Sequence, residues 1–388
     1  MLVFVLSFSS FAAETKDVVN GNSSFAFDLY GKLKETDGNL FFSPYSISTA
    51  LAMTYAGARN ETEKEMAEVL RFPSDQDVLH SSFSELQTHL NAVQEKGHVL
   101  LSVANSLWAQ EGYPFLDSFI DLNKKYYGAG LNLVDFATKT EEVRQTINIW
   151  VEDKTRQKIK DLIKPGMLDP STTLVLCNAI YFKGDWLKQF DEKKTIEASF
   201  RVSPEENIKV PMMNLKSEFK LAKSDGVSAL ELPYSGDELS MIVFLPNDVG
   251  GMKELEEKLT DGNVEKWIKT LSASREKEIM VSLPKFKVTC EFELADIFSK
   301  MGMPHAFRGA DFSGMTGSRD LFIGRVIHKA FVDVNEEGTE AAAATAVMME
   351  RALHMPLVFR ADHPFVFLIR ENKTGSVLFI GRITNPEP

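Results

Sequence analysis

The sequence predicts an α+β fold, in which helices surround a large β-sheet within one domain. Amphipathic helical patterns dominate the first half of the chain, whereas apolar segments typical of strands dominate the later part. No linker rich in Pro, Gly or Ser divides the 388 residues. The length by itself favours two or three domains, but without such a linker we expect a single one.

The helices are predicted from apolar periodicity and from capping signals. Residues 25–33 carry apolar side chains at helical spacing, and Ser43-Pro44 combines an N-cap with a proline at the first helical position. Asn60 with Glu63 resembles a capping box that would open a helix ending at residue 70. A longer amphipathic helix is predicted over 141–159. Its apolar face would contain Val143, Ile147, Trp150, Val151 and Ile159.

The strands are predicted from apolar segments bounded by turn residues. Several of these segments are apolar throughout, as strands buried on both faces are. Asn178 interrupts the first segment, and a buried amide needs hydrogen-bond partners. The segments are 174–182, 239–245, 279–283, 364–369 and 376–381.

The net charge of −12 restricts the partners of the chain. Repulsion from phosphate would have to be overcome by a basic patch. The two lysine pairs, Lys124-Lys125 and Lys193-Lys194, are typical of solvated surfaces. We therefore expect neither nucleic acid nor a glycosaminoglycan as partner. Because no apolar run approaches the roughly 18 residues of a membrane helix, we expect no membrane partner.

The first 13 residues are apolar and end in small side chains, which is typical of the remnant of a secretion signal, although a positive leading segment is missing. Ser10 and Ala12 suit cleavage after Ala12. We expect residues 14–388 to form the domain and the protein to be extracellular. If the segment is instead an apolar N-terminal strand, a cytoplasmic location is expected. The candidate glycosylation sites are the sequons at Asn22, Asn60 and Asn372.

The nucleophilic and titratable residues form no catalytic motif. Residues 128–133 lack the last glycine of the dinucleotide fingerprint, and the sequence contains no nucleophile elbow, paired-His zinc motif or Cys-x-x-Cys. Cys177 and Cys290 lie within or beside apolar segments, so we expect buried free thiols. His328 is expected to be a hydrogen-bonded core histidine. No motif supports an enzyme, a metal or a cofactor, although distant residues can assemble a triad.

The sequence of residues 336–352 is compatible with either a helix or a strand. Four consecutive alanines have high helix propensity, and Thr339 could cap the first turn. In a strand, however, small or β-branched side chains would share one face, as a strand entering a crowded sheet requires. These side chains are Thr339, Ala341, Ala343, Thr345 and Val347.

The chain resembles the serpins, a family of serine-protease inhibitors that trap the protease by a conformational change, in six ordered segments between residues 24 and 386. Three segments lie in the first part: Asn-Leu-Phe-Phe-Ser-Pro-Tyr-Ser-Ile-Ser at 39–48, Asn-Ala-Ile-Tyr-Phe-Lys-Gly-Asp-Trp at 178–186 and Val-Pro-Met-Met at 210–213. The others are Leu-Pro-Lys-Phe at 283–286, Val-Asn-Glu-Glu-Gly-Thr-Glu-Ala-Ala-Ala at 334–343 and His-Pro-Phe-Val-Phe-Leu-Ile-Arg at 363–370.

The resemblance implies a serpin fold of one domain with three β-sheets, eight or nine helices and an exposed reactive loop at about 336–360. The start of this loop is similar to a hinge, formed by Glu336, Glu337, Gly338, Thr339, Glu340, Ala341, Ala342 and Ala343. A polar cluster beneath the opening of the main sheet is implied at Ser43, Ser46, Asn178 and His328. Insertion would begin beside Trp186 and Lys285, with an ion pair between Lys285 and Glu336.

The resemblance also implies a covalent complex between a serine protease and a monomeric inhibitor. The usual spacing from Gly338 places Ala352 before the cleaved bond and Leu353 after it, which favours an elastase-like protease. Arg351, one residue earlier, would suit a trypsin-like pocket with a carboxylate. Cleavage at Leu353 or Met349 would indicate a chymotrypsin-like protease. A non-inhibitory serpin that serves as carrier, chaperone or storage protein is the alternative function.

Overall fold

The computed structural model describes residues 13–339 and 357–386. The expected signal remnant therefore lies outside the described residues, apart from Ala13. The same is true of several predicted loop residues, namely Glu340, Ala341, Ala342, Ala343, Arg351, Ala352 and Leu353.

Ten α-helices lie in the described ranges, against the eight or nine that the resemblance implies, and the shortest is a single four-residue turn. Their bounds are α1 Ala13–Leu33, α2 Pro44–Tyr55, α3 Asn60–Leu70, α4 Gln76–Glu95, α5 Asp117–Tyr127, α6 Phe136–Lys154, α7 Met252–Lys258, α8 Asp261–Ala273, α9 Ala295–Met301 and α10 Ser313–Thr316.

The predicted start of α2 is confirmed. Ser43 is the N-cap, its Oγ accepts a hydrogen bond from the backbone N–H of Ser46 at 3.1 Å, and Pro44 is the first helical residue. The capping box at Asn60 is wrong, because Asn60 has a φ of 54° and Arg59 precedes the helix without a side-chain cap. Asn60 instead donates from Nδ2 to Asp311 at 2.7 Å.

The predicted helix over 141–159 is displaced toward the N-terminus. Asp135 caps α6 by accepting from the N–H of Thr138 at 3.0 Å, so the helix begins at Phe136. It ends at Lys154, and the positive φ of Arg156 (52°) and Gln157 (62°) is incompatible with a continuing helix. Ile159 is buried but belongs to the following loop.

The described strands form three sheets, as the resemblance implies. Sheet A has the order β11-β12-β4-β2-β3, with β13 paired to β4; sheet B is β1-β16-β15-β9-β8-β7; sheet C is β14-β10-β6-β5. The bounds are β1 Leu40–Phe42, β2 Val99–Gln110, β3 Leu131–Val134, β4 Leu174–Asp185, β5 Ile196–Arg201, β6 Asn207–Phe219, β7 Leu221–Ser224, β8 Val227–Pro233, β9 Leu239–Pro246, β10 Lys277–Pro284, β11 Phe286–Glu293, β12 Arg325–Val334, β13 Gly338–Thr339, β14 Leu357–Arg360, β15 Phe365–Glu371 and β16 Val377–Ile383. Each of the five predicted strands overlaps an observed one, namely β4, β9, β10, β15 or β16, although residues 364 and 376 lie just before β15 and β16.

The two strands at the centre of sheet A, β4 and β12, are hydrogen-bonded directly to each other, and we call the boundary between them the seam. β4 and β12 are parallel neighbours, paired from Val175 with Arg325 to Tyr181 with Phe331. The rings of Tyr181 and Phe331 lie 5.9 Å apart across this seam. β4 and β12 run in the same direction. A strand that entered between them from the C-terminal end of β12 would therefore be antiparallel to both.

Helices cover both faces of sheet A. α2 is buried along its whole length and contacts β4 as well as β16 of sheet B. On the other face, a smaller apolar cluster joins α6 to the sheet through Val143, Ile147, Val151, Val175 and Cys177. No described helix is both long enough and apolar enough to cross a membrane.

The cysteines are free thiols, as expected. Cys177 is fully buried in β4, and Cys290 is partly buried in β11. Burial raises the pKa of both thiols, that of Cys290 to about 11. Neither thiol is therefore poised to act as a nucleophile.

Candidate functional site

The chain turns back on itself directly after β12, at the top of sheet A. β13 pairs antiparallel with the end of β4, with Gly338 opposite Asp185 and Thr339 opposite Gly184. Before this pair, the backbone N–H of Trp186 donates to the carbonyl of Glu337 at 2.9 Å. The first residues of the predicted hinge are thus already docked on β4, in the direction that an inserted strand would take.

This docking requires glycine at position 338. A Cβ atom there would lie 2.1 Å from the carbonyl oxygen of Gly184, which is backbone and cannot rotate away. The φ of Gly338 is also positive, at 152°. Gly184 is crowded from its other side, because a Cβ there would lie 2.9 Å from Phe182 and Tyr234.

An ion pair between a buried carboxylate and a half-buried ammonium group holds the start of the predicted hinge. Lys285 Nζ lies 2.7 Å from Glu336 Oε2, and Thr195 donates from its hydroxyl to Glu336 Oε1 at 2.6 Å. Glu336 is only 4% exposed. Burial would raise the pKa of this carboxyl, but the hydrogen bonds from Lys285 and Thr195 outweigh burial and lower the pKa. Glu336 is therefore a charged anchor at the junction of sheets A and C.

Trp186, which directly follows β4, packs at the same junction of sheets A and C. Its indole N–H donates to the carbonyl of Asn335 at 3.0 Å, and its ring stacks on Tyr234 with the centroids 4.7 Å apart. Trp186 is 2% exposed. Trp186, Lys285 and Glu336 thus lie together, and the ion pair that the resemblance implies is present. Their role as the place where insertion begins stays a prediction.

The implied polar cluster is also assembled, beneath the seam between β4 and β12. The backbone N–H of Ser43 donates to His328 Nε2 at 3.1 Å, while Ser43 Oγ donates to the carbonyl of Leu378 at 2.6 Å. Asn178 donates from Nδ2 to Ser46, at 2.9 Å to its carbonyl and 2.5 Å to its hydroxyl. His328 and Asn178, which are opposite each other in β12 and β4, are joined by a hydrogen bond.

The hydrogen bonds fix the protonation state of His328. Because Nε2 accepts from Ser43, the ring is neutral and Nδ1 donates to Asn178 Oδ1. Complete burial of the ring lowers the pKa of His328 to about 3. The cluster therefore links α2 to both strands of the seam without carrying a charge.

Sequence reasoning missed two residues of this arrangement, Asn105 and Thr195. Asn105 lies opposite Asn178 in β2 and accepts hydrogen bonds from both Asn178 and Ser46. It was missed because β2 itself was not predicted; its register would have indicated the contact. Thr195 lies beside β5, and no pattern in its surroundings identified it as a partner of Glu336.

The candidate glycosylation sites lie in different environments. Asn22 is 4% exposed and donates from Nδ2 to the carbonyl of Val377 at 3.4 Å, which argues against a glycan on that nitrogen. Asn372 uses its amide nitrogen to bind Asp237 and Ser240. Asn60 is exposed, although its amide nitrogen binds Asp311.

Fold and site together define a protein in which the predicted hinge, with Gly338, pairs with the end of β4, next to the parallel strands β4 and β12. Residues 20–386 match the family described as serpin (serine protease inhibitor). The chain belongs to the serpin family, and the resemblance seen in the sequence is confirmed.

Known serpins are similar to this chain over nearly their whole length. Human leukocyte elastase inhibitor is 42% identical over 378 residues, which cover 95% of this chain and 99% of that protein. An uncharacterized serpin-like protein of Thermococcus kodakarensis is 41% identical, with 96% and 87% covered. The structure of human thyroxine-binding globulin complexed with thyroxine matches with a TM-score of 0.88 and 31% identity, over 97% of this chain and all of that chain. The predicted α+β serpin fold is thereby confirmed, whereas secretion and glycosylation find no support among these relatives.

Proposed function

We propose that this protein is a suicide-substrate inhibitor of serine proteases. The observation that carries the proposal is the position of β13, which lies antiparallel on β4 at the mouth of the seam between β4 and β12. A cleaved loop needs only to continue in the same direction, with β12 moving aside, to become a central strand of sheet A.

The side chains of the loop suit this insertion. The positions that would face inward in the inserted strand carry no charge and no bulky group; they are Thr339, Ala341, Ala343, Thr345 and Val347. A strand of about 14 residues, at roughly 0.5–1.5 kcal/mol for each net hydrogen bond, gains on the order of 10 kcal/mol. This gain is comparable with the stability of a whole domain, so it can drive the separation of β4 from β12.

The chemistry begins at the protease. Its serine oxygen attacks the carbonyl of the reactive bond, the peptide C–N bond breaks, and the new amine leaves with a proton, which produces an acyl-enzyme. Insertion of the loop then carries the acylated protease away and distorts it before water can release it. The inhibitor thus contributes a substrate bond and a conformational change, and it needs no catalytic residue of its own.

Two bonds are candidates for this attack. Cleavage after Ala352 would fit an elastase-like protease, and the similarity to leukocyte elastase inhibitor supports this target. Cleavage after Arg351 would fit a trypsin-like protease, in which a carboxylate pairs with the guanidinium. We propose that the target belongs to one of these two classes.

The test is incubation with trypsin and with leukocyte elastase, followed by a denaturing gel and mass spectrometry. We expect a complex that survives denaturation, together with a released peptide that begins at Ala352 or at Leu353. A protease whose catalytic serine is replaced by alanine is the control and should give no such complex. Complete cleavage by both proteases without a covalent complex would contradict the proposal.

A carrier function is the second candidate, because the fold also matches a thyroxine-binding globulin. A carrier does not need its loop to insert. It would bind a small ligand with the loop intact and would gain no heat resistance when the loop is cut.

A further inference from the structure

The outer face of sheet C displays two apolar side chains at the place where the reactive loop returns to the fold. Val358 in β14 is 57% exposed and Met280 in β10 is 40% exposed. They are direct register partners, so their side chains lie side by side on one face of the sheet. The next position in this row, opposite Met280 in β6, is the exposed Lys216.

The charges around these two side chains are paired with one another. Lys216 Nζ lies 2.9 Å from Glu278 Oε2 on one side of the apolar pair. On the other side, Arg360 Nε lies 3.4 Å from Asp362 Oδ2. The result is an apolar centre with a polar rim, which is the usual composition of a protein-binding surface.

The position of Val358 in the sheet makes its exposure unusual. β14 is the end strand of sheet C in the described residues. Soluble proteins usually protect such edges with charged side chains or proline, because an apolar edge invites association. Two adjacent exposed apolar side chains, Val358 and Met280, at this edge therefore favour a surface that becomes covered in use.

The short distance in sequence between Val358 and the candidate reactive bonds indicates which partner could cover this surface. Val358 follows Ala352 by six residues, which span at most about 21 Å of extended chain. A protease domain of roughly 230 residues has a radius of gyration of about 17 Å. A protease bound at Arg351 or Ala352 is therefore large enough to reach the adjoining outer face of sheet C.

We propose that Val358 and Met280 form a docking surface for the target protease, separate from the reactive bond. This inference rests on the proposed inhibitory function. Contacts here would form in the first, noncovalent encounter. They would accelerate association, and they would select proteases whose rim beside the active-site cleft is apolar.

The test compares association rate constants for the protease that forms the covalent complex. Met280→Glu and Met280→Lys introduce opposite charges at an exposed strand position. We expect each to slow association about tenfold, because either charge loses water in the interface. The stoichiometry of inhibition and the melting temperature should stay unchanged, since the loop and the core are untouched. Ile149→Glu and Ile149→Lys are the matched controls, because Ile149 is 60% exposed on α6 and should tolerate both changes.

A second measurement does not depend on variants. In a complex with a protease whose catalytic serine is alanine, oxidation of Met280 by peroxide should slow severalfold relative to the free inhibitor. Unchanged rates for both Met280 variants, with equal oxidation of Met280 in the free and bound states, would overturn the proposal. So would a variant that alters self-association instead, because a second copy of the chain would then be the occupant. Failure of the wild-type chain to form a covalent complex would contradict the proposed function itself, which is a distinguishable result.

Discussion

Lys285 Nζ lies 2.7 Å from Glu336 Oε2, and this contact joins sheet C to the first residue of the predicted hinge. Lys285 comes from the segment between β10 and β11, whereas Glu336 follows β12. The pair therefore spans the point at which β12 would begin to separate from β4. Its stability bears directly on whether the seam opens before or after the loop is cleaved.

Lys285→Met is expected to destabilise the native state by about 1–3 kcal/mol, because Glu336 would remain charged and buried without a cation. The value lies below that of a fully buried pair, since the side chain of Lys285 is 36% exposed and water screens the interaction. Urea denaturation measures the change. Lys269→Met is the control, because Lys269 and Glu265 are paired on an exposed face of α8 and should contribute less than about 0.5 kcal/mol. Equal effects of the two substitutions would show that Glu336 is not held by Lys285.

Gly338→Ala should prevent β13 from docking on β4, because the added methyl group would meet the carbonyl oxygen of Gly184. We expect more inhibitor molecules to be consumed for each protease inactivated, as slower insertion lets the acyl-enzyme hydrolyse. Titration of protease activity measures this ratio. Gly31→Ala in α1 is the control, since a Cβ there meets no atom within 4 Å and should stabilise the helix by roughly 0.5–1 kcal/mol. An unchanged ratio for Gly338→Ala would mean that the docked hinge is not needed.

Asn178→Ala should weaken the closed seam by about 1–3 kcal/mol. The substitution leaves the Nδ1–H of His328 without an acceptor in a buried place, which costs roughly 1–3 kcal/mol, whereas the hydroxyl of Ser46 keeps its hydrogen bond to Asn105. The free energy of unfolding in urea provides the measurement. Thr88→Ala removes an exposed hydroxyl that donates within α4, and it should change stability by less than about 0.5 kcal/mol. A similar small change at Asn178 would refute the role of the cluster.

Stability should fall below neutral pH because of His328. Its pKa is about 3 in the folded state, against about 6.5 in an unfolded chain. The unfolded state therefore binds the proton first, so the stability that this histidine contributes is present above pH 6.5 and is lost as the pH falls toward 3. Between pH 7.5 and pH 5 the loss from His328 is about 2 kcal/mol. His80, with a pKa lowered to about 4 by burial, should add a similar amount.

The measurement is urea denaturation at both pH values, for the wild-type chain and for His328→Gln. The variant cannot titrate at this position, so its stability should depend less on pH by about 2 kcal/mol. Thr88→Ala removes no titratable group, so it is the control and should keep the pH dependence of the wild type. An identical pH dependence in His328→Gln and the wild type would contradict the neutral, hydrogen-bonded state of the histidine.

Most of the strands that the sequence revealed are buried on both faces; β10, in which Met280 is exposed, is the exception. β9 is buried at every position and β16 likewise, so a continuous apolar run identified them. β2 and β6 were missed, because exposed or half-buried positions interrupt their apolar residues without strict alternation. The start of α6 was also misplaced, because the cap at Asp135 precedes a non-helical residue, Lys139, that breaks the apolar period.

The site was predictable only through the family resemblance. Apolar surroundings indicated that Asn178 needs partners, but nothing local identified Ser46, Asn105 and His328, which lie in three separate elements. Lys285 and Glu336 likewise belong to segments of different sheets, so the local sequence around either residue does not predict their contact. The choice between Arg351 and Ala352 depends on the pocket of another protein, so it stays a prediction.

The central claim is that a cleaved loop becomes a strand between β4 and β12, and the melting temperature before and after cleavage tests it most directly. A protease that cuts within 341–353 without forming a complex would be used, and the cleaved chain would then be heated. We predict a rise of about 10 °C, because on the order of 10 kcal/mol is gained from the new strand and a chain of this length has an unfolding entropy of roughly 0.8 kcal/mol/K. Thr339→Arg should be cleaved in the same way but should gain much less, since its charge would have to enter the sheet. A melting temperature of the wild-type chain that is unchanged by cleavage would contradict insertion and the inhibitory function with it.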